Sequence, residues 1–194
     1  KPKDATALAQ SDHILHVSGR RALARSEDQA CIQDDRNDSM SARRTFVIAE
    51  AAGCHDGSLD KALALIALAA RIGADACKLQ WLSSLARLIE RRQAPEYLEA
   101  YRTVAFPREW FPVLTDVCAA RGIEFMCTVY LPEDVAVIKP HVRRFKIASF
   151  EAAAGDLLEA IGTSPKIVST GMQDHDTWAR YREVLHPGDA ILHC

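Results

Sequence analysis

From Thr45 onward, short apolar runs alternate with amphipathic stretches at a regular interval. Residues 45–50 (TFVIAE) form a β-branched apolar run of the kind that makes a strand covered on both faces. After the loop 51–57, Ser58 can cap a helix that carries Asp60 in its first turn. Leu59, Ala62, Leu63, Ile66 and Ala70 follow helical spacing, and Gly73 stops the helix. Residues 74–79 read as the second strand. A long insertion, 81–106, reads as mostly helical with Pro95 breaking it. The unit then repeats: helix 110–121 stopped by Gly122, strand 123–128 (IEFMCT), short helix 132–139, strand 145–148. Helix 152–161 is closed by Gly162 and followed by strand 166–170 (KIVST). A helix over 177–185, with Asp174 or Asp176 near its cap, precedes a sixth strand, 190–194 (AILHC).

Strict alternation of strand and helix predicts a parallel sheet with helices outside it and right-handed connections. Six units in about 150 residues is about 25 each, near the roughly 250 residues for eight units of a (β/α)8 barrel. The predicted fold class is therefore α/β, a TIM-type barrel with about six of eight units over residues 45–194. An open doubly wound sheet is the alternative. A Rossmann domain is disfavoured because no Gly-x-Gly-x-x-Gly follows the first strand.

Residues 1–44 differ in kind. The stretch 25–44 is rich in Asp, Arg, Ser and Gln without periodicity and reads as a disordered tail. A short helix over 14–24 would put His13 and His16 near one face; two solvated histidines are the simpler reading than a metal site.

Composition narrows the function classes. A formal charge of −2 offers no broad basic field for nucleic acid. No apolar run is long enough to span a bilayer, and no charged-then-apolar secretion signal opens the chain. Six cysteines are scattered with no Cys-x-x-Cys pair, which fits reduced thiols in a cytoplasmic protein.

Candidate chemistry gathers at the predicted strand ends. These carry Glu50; Lys78 and Gln80; Thr128; Lys146, Ser149 and Glu151; Ser169 and Thr170; and His193. In a barrel, such C-terminal ends converge on one mouth, where active sites are built. Two lysines among hydroxyls suit a phosphorylated anion. Two carboxylates offer acid–base work or hydroxyl recognition. A lone His at a strand end is either a metal ligand or a satisfied core histidine. The serines and Thr170 can instead satisfy local backbone groups, and a strand lysine can snorkel outward. His55 and Asp56 lie in a turn-like stretch (CHDGS), and His175 and His186 read as surface residues.

The ordered set IAEAAGCHDGSLDKALALI, GADACKLQ, GIEFMCTVYLPEDV, FKIASFE, IVSTGM and ILHC resembles the sialic acid synthase family, which includes pseudaminic and legionaminic acid synthases. The resemblance implies an enzyme that condenses phosphoenolpyruvate with an open-chain N-acylated hexosamine-type sugar. The products are a nine-carbon 2-keto sugar acid and phosphate. It implies that Lys78, Thr128, Lys146, Ser149 and Ser169 hold phosphoenolpyruvate, that Glu50 lies by the reacting centre, and that Glu151 holds sugar hydroxyls. It further implies a divalent metal, manganese or magnesium, with His193 as one of two histidine ligands, and a homodimer for the full-length protein. Cys54-His55 stands where the family usually has Asn-His, and Phe150 where some members have Gly. Family members continue past this His-Cys with two more strands and a small antifreeze-like domain.

Two other readings stay open. One is an inactive relative serving as a phospho-ligand-binding or assembly module. The other is a different phosphate-handling barrel enzyme, such as an aldolase using Lys146 or Lys78 as nucleophile.

Overall fold

The computed structural model describes residues 45–102, 104–174, 176 and 185–194. The expected tail 1–44, the helix over 14–24 with His13 and His16, His175, and nearly all of the helix over 177–185 lie outside the described residues.

Among the described residues, six parallel strands form one sheet: β1 (Ile48–Ala52), β2 (Ala76–Gln80), β3 (Glu124–Val129), β4 (Phe145–Ile147), β5 (Lys166–Ser169) and β6 (Ala190–Leu192). Their spatial order is their order in sequence. A doubly wound sheet must reverse its strand order at a switch point. No reversal occurs here, so the sheet is a curled half-barrel and the open alternative falls.

Among the described residues, the α-helices are α1 (Leu59–Arg71), α2 (Leu85–Arg92), α3 (Leu98–Tyr101), α4 (Trp110–Ala120), α5 (Val135–Ile138) and α6 (Gly155–Ile161). The Ser58 hydroxyl caps α1 by accepting from the Lys61 N–H, and α1 buries Ala62, Ile66 and Ala69. Gly73 follows at φ +80°, a conformation that costs other residues strain. In the insertion, Pro95 does not break a helix as expected. The chain has already left α2 through Gln93, at φ +51°, and Pro95 opens a 3-10 turn, Pro95–Tyr97. The first strand starts later than its apolar run suggested. Phe46 and Val47 are exposed, and Val47 is tied ahead of the strand by its N–H to Asp75 Oδ2 at 2.8 Å.

Alternation along each strand sorts the side chains into two sets. The outward set packs against the helices: Ala49, Cys77, Leu79, Phe125, Cys127, Val129, Phe145, Ile147 and Val168 join Ala62, Ile66, Phe111 and Leu114 in the main core. The inward set is layered. Ile48, Ala76, Met126 and Ile167 form a small apolar floor. Two residues further along three of these strands, on the same face, come Glu50, Lys78 and Thr128 of β1–β3. Ser169 occupies the corresponding place in β5, with Lys146 of β4 between. Strand geometry thus places five of the candidate residues in one layer above an apolar floor.

Candidate active site

Register brings the layer into contact. Glu50 pairs with Lys78 in the β1–β2 ladder, and Thr128 with Lys146 in the β3–β4 ladder. Lys78 Nζ donates to Thr128 Oγ1 at 3.0 Å and forms an ion pair with Glu50. The β1 register slips between Glu50 and Ala52, and Ala52 sits at φ +46° with its N–H bonded to Glu50 Oε1 at 3.0 Å. This irregularity turns the carboxylate toward Lys78. Glu50 remains half exposed, whereas Lys78, Thr128, Lys146 and Ser169 are buried.

Lys146 Nζ donates to the Ser169 hydroxyl at 2.5 Å and to the Ile147 carbonyl at 2.8 Å. Burial, then repulsion from Lys78, pushes its pKa down to about 8. Ser149 lies on the loop after β4. Its hydroxyl accepts from the Gly171 N–H at 3.2 Å, and its carbonyl accepts from Gln173 Nε2 at 2.8 Å. A side chain at Gly171 would meet Cys194 Cβ at 2.8 Å, so the loops after β5 and β6 close on each other only with glycine there. A hydrogen bond with Ser169 leads the influences that hold the Cys194 thiol below its ordinary pKa.

Glu151 is placed differently. Both of its oxygens are gripped by Arg92, from Nε at 2.7 Å and from Nη2 at 2.8 Å, and both side chains are almost fully buried. Burial raises the Glu151 carboxyl above its ordinary range, with Arg92 pulling the other way. The bidentate pair holds the ionised form. Sequence reasoning missed Arg92. The signal was there: Leu85, Leu88 and Arg92 follow one helical stripe, so an arginine falls where packing calls for an apolar residue.

His193 is exposed at the end of β6, beside an open cleft of about 390 Å³ that Thr170, Gln173 and Cys194 also line. Among the described residues, no three His, Cys, Asp or Glu side chains gather into a group that could hold a metal. The described residues therefore do not complete a metal site around His193. His55 is a core histidine: fully buried, its Nδ1 accepts from the Gly57 N–H at 3.0 Å, and its ring meets Phe106 and Trp110 edge-on. Burial pushes its pKa down.

A family model described as the NeuB family matches residues 65–194. The chain belongs to the NeuB family. Among curated relatives, the spore coat polysaccharide biosynthesis protein SpsE of Bacillus subtilis is 32% identical, over 77% of this chain and 44% of its own length. A pseudaminic acid synthase of Campylobacter jejuni is 30% identical, over 78% of this chain and 50% of its own. The chain thus spans about half the length of the curated relatives it matches. Among solved structures, the N-acetylneuraminic acid synthetase of Leptospira borgpetersenii superposes with a TM-score of 0.66 at 27% identity, covering 77% of this chain and 53% of that one. Likeness to a 3-deoxy-D-arabino-heptulosonate 7-phosphate synthase of Thermotoga maritima, at 12% identity and a TM-score of 0.55, extends to the fold alone. No helix among the described residues is long and apolar enough to cross a membrane.

Proposed function

We propose that this NeuB-family chain carries the phosphoenolpyruvate site of a synthase. The enzyme joins phosphoenolpyruvate to an N-acylated hexosamine-type sugar, giving a nine-carbon 2-keto sugar acid and phosphate for surface carbohydrate synthesis. One observation carries the reading: two buried lysines, Lys78 and Lys146, meet the hydroxyls of Thr128 and Ser169 in one layer at the strand ends. Buried ammonium groups facing hydroxyls suit an anion that brings its own charge.

In this reading Lys78, Thr128, Lys146, Ser149 and Ser169 bind the phosphate and carboxylate of phosphoenolpyruvate. Carbon 3 of phosphoenolpyruvate attacks the sugar aldehyde, water adds at carbon 2, and the C–O bond to phosphate breaks. Glu50 lies beside Lys78 with its side chain half exposed, which suits a group that moves a proton or orients the aldehyde. Glu151, fixed by Arg92, holds its loop and the sugar hydroxyls that reach it. A divalent metal, manganese or magnesium, would supply Lewis-acid polarisation of the aldehyde, with His193 among its ligands and the remainder from outside the described residues. The full-length enzyme works as a homodimer in the cytoplasm, a setting consistent with the free thiols of Cys54, Cys77, Cys118, Cys127 and Cys194.

The test is phosphate release by the full-length protein from phosphoenolpyruvate plus an N-acylated hexosamine, with added manganese. Release that requires both substrates supports the synthase. Binding of phosphoenolpyruvate without turnover points instead to an inactive module. Borohydride trapping of Lys146 with substrate points to an imine-forming aldolase, because the synthase forms no imine.

A further inference from the structure

Phe150 differs from the other residues around the mouth. It is a large aromatic side chain, 45% exposed, on the rim between Ser149 and Glu151. Its ring lies over the guanidinium of Arg92, 4.6 Å from the ring centroid. That guanidinium is fixed. It grips both Glu151 oxygens, donates from Nη1 to Tyr101 Oη at 2.6 Å, and lies 4.9 Å and 5.3 Å from the rings of Tyr101 and Tyr130. A cation under the face of an exposed phenylalanine favours the rotamer that keeps the ring over it.

The placement has a chemical consequence. Lys78, Thr128, Lys146, Ser149 and Ser169 offer charge and hydrogen bonds, and none offers an apolar face. Binding sites pair a few polar groups that orient the ligand with apolar surface that recognises its carbon skeleton. An aromatic ring seated on the Arg92 guanidinium at the rim supplies such a surface. The acceptor of the proposed reaction brings a matching group, the alkyl part of its N-acyl substituent.

We propose that Phe150, seated on the Arg92 guanidinium, is a specificity-determining residue that packs against the N-acyl group of the acceptor sugar. The inference rests on the synthase reading and deepens it by naming the residue that selects the acceptor. Arg92 is then a positioning residue, acting through Phe150 and Glu151. The insertion that supplies α2 enters acceptor choice although none of its residues was a site candidate from sequence.

The experiment measures phosphate release by the full-length protein with N-acetylhexosamine, N-propanoylhexosamine and the parent hexose without the acylamino group. In Phe150→Ala, kcat/KM for the N-acyl sugars falls about tenfold more than for the parent hexose, and KM for phosphoenolpyruvate stays within about twofold. Phe150→Leu keeps part of the preference. Arg92→Gln shifts the preference the same way, and combining it with Phe150→Ala adds little more, as expected when one residue acts through the other. Because Phe150 is exposed, its replacement leaves a folded protein even if the Arg92 variant does not fold. A Phe150→Ala enzyme that loses activity equally with every acceptor, or loses none, overturns the inference and leaves the synthase reading standing. No phosphate release by the wild type with any acceptor overturns both.

Discussion

Lys146 and Lys166 sit in neighbouring strands, and both are buried, at 6% and 2% exposure. Lys166 opens β5 at the floor end of the sheet. Its ammonium meets Asp189 Oδ2 at 2.7 Å and the Gly162 carbonyl at 3.2 Å, and the Asp189 side chain is itself 2% exposed. Lys146 lies toward the mouth and, among the described residues, its ammonium hydrogen-bonds a hydroxyl and a carbonyl. The difference separates two uses of a buried charge. A lysine that closes on a fully buried carboxylate is neutralised within the fold and serves to join strands. A lysine supported by a hydroxyl and a carbonyl is desolvated without a carboxylate in contact, a setting that suits an anionic ligand.

The most damaging way to probe the comparison is at the floor. Lys166→Met leaves Asp189 buried without its cation, which costs about 3–5 kcal/mol. Urea unfolding of the full-length protein should show that loss as a lower midpoint, while the molecules still folded bind phosphoenolpyruvate with unchanged affinity. A Lys166→Met protein of wild-type stability would mean that the Asp189 pair contributes little to the fold.

At the mouth the same substitution should do the reverse. Lys146→Met removes an uncompensated ammonium, so the fold is kept. Phosphoenolpyruvate affinity measured by calorimetry falls about a hundredfold, the scale expected when a buried site gives up one charge-assisted hydrogen bond. Unchanged affinity would remove Lys146 from the site.

A subtler test uses pH. The pKa of Lys146 in the folded protein, about 8, lies below the ordinary lysine value of about 10.4, so the folded state releases this proton first. The burial penalty on stability is present in full below pH 8, where both states are charged. It is relieved as pH rises from about 8 to about 10.4. Ligand affinity runs the other way, because an anion binds the protonated amine. Affinity should be flat below pH 8 and fall up to tenfold per unit above it, measured from pH 6.5 to 9.5 at fixed ionic strength. The decline should be absent in Lys146→Arg, whose charge does not titrate in that range.

Which parts of this were legible in the sequence follows from the kind of signal each left. Parallel strands and their order came through because apolar runs and helix stops repeat with a fixed period, and local chemistry enforces both. Lys78, Thr128, Lys146 and Ser169 could be grouped because alternation along a strand fixes the face of each side chain once the strand is placed. The loop residues carried no such rule. Glu151 stood out as a carboxylate at a strand end, yet its partner is 59 residues away on a helix of the insertion, and no spacing links the two. Gly171 drew no reading of its own from the sequence; the approach of Cys194 gives it a steric reason. His55 read as part of a turn-like stretch, and its fully buried ring among aromatics shows it to be core.

Consecutive arginines give the smallest effect and the finest form of the comparison. Arg91 and Arg92 both end α2, and both grip a carboxylate bidentate: Arg91 holds Asp156 in the first turn of α6, at 2.5 and 2.7 Å, and Arg92 holds Glu151 in the loop between β4 and α6. The Asp156 carboxyl is lowered to about 2, chiefly by its hydrogen bond from Arg91. Yet the Arg91 and Asp156 side chains are 28% and 57% exposed, and solvent screens such a pair. Arg91→Gln should therefore cost no more than about 1 kcal/mol in urea unfolding, less as salt is added, and leave acceptor preference as in the wild type. Equal losses of stability and selectivity at Arg91 and Arg92 would show that anchoring α2 is the common cause. A loss of selectivity confined to Arg92 would tie acceptor choice to the ring and carboxylate that this arginine alone holds.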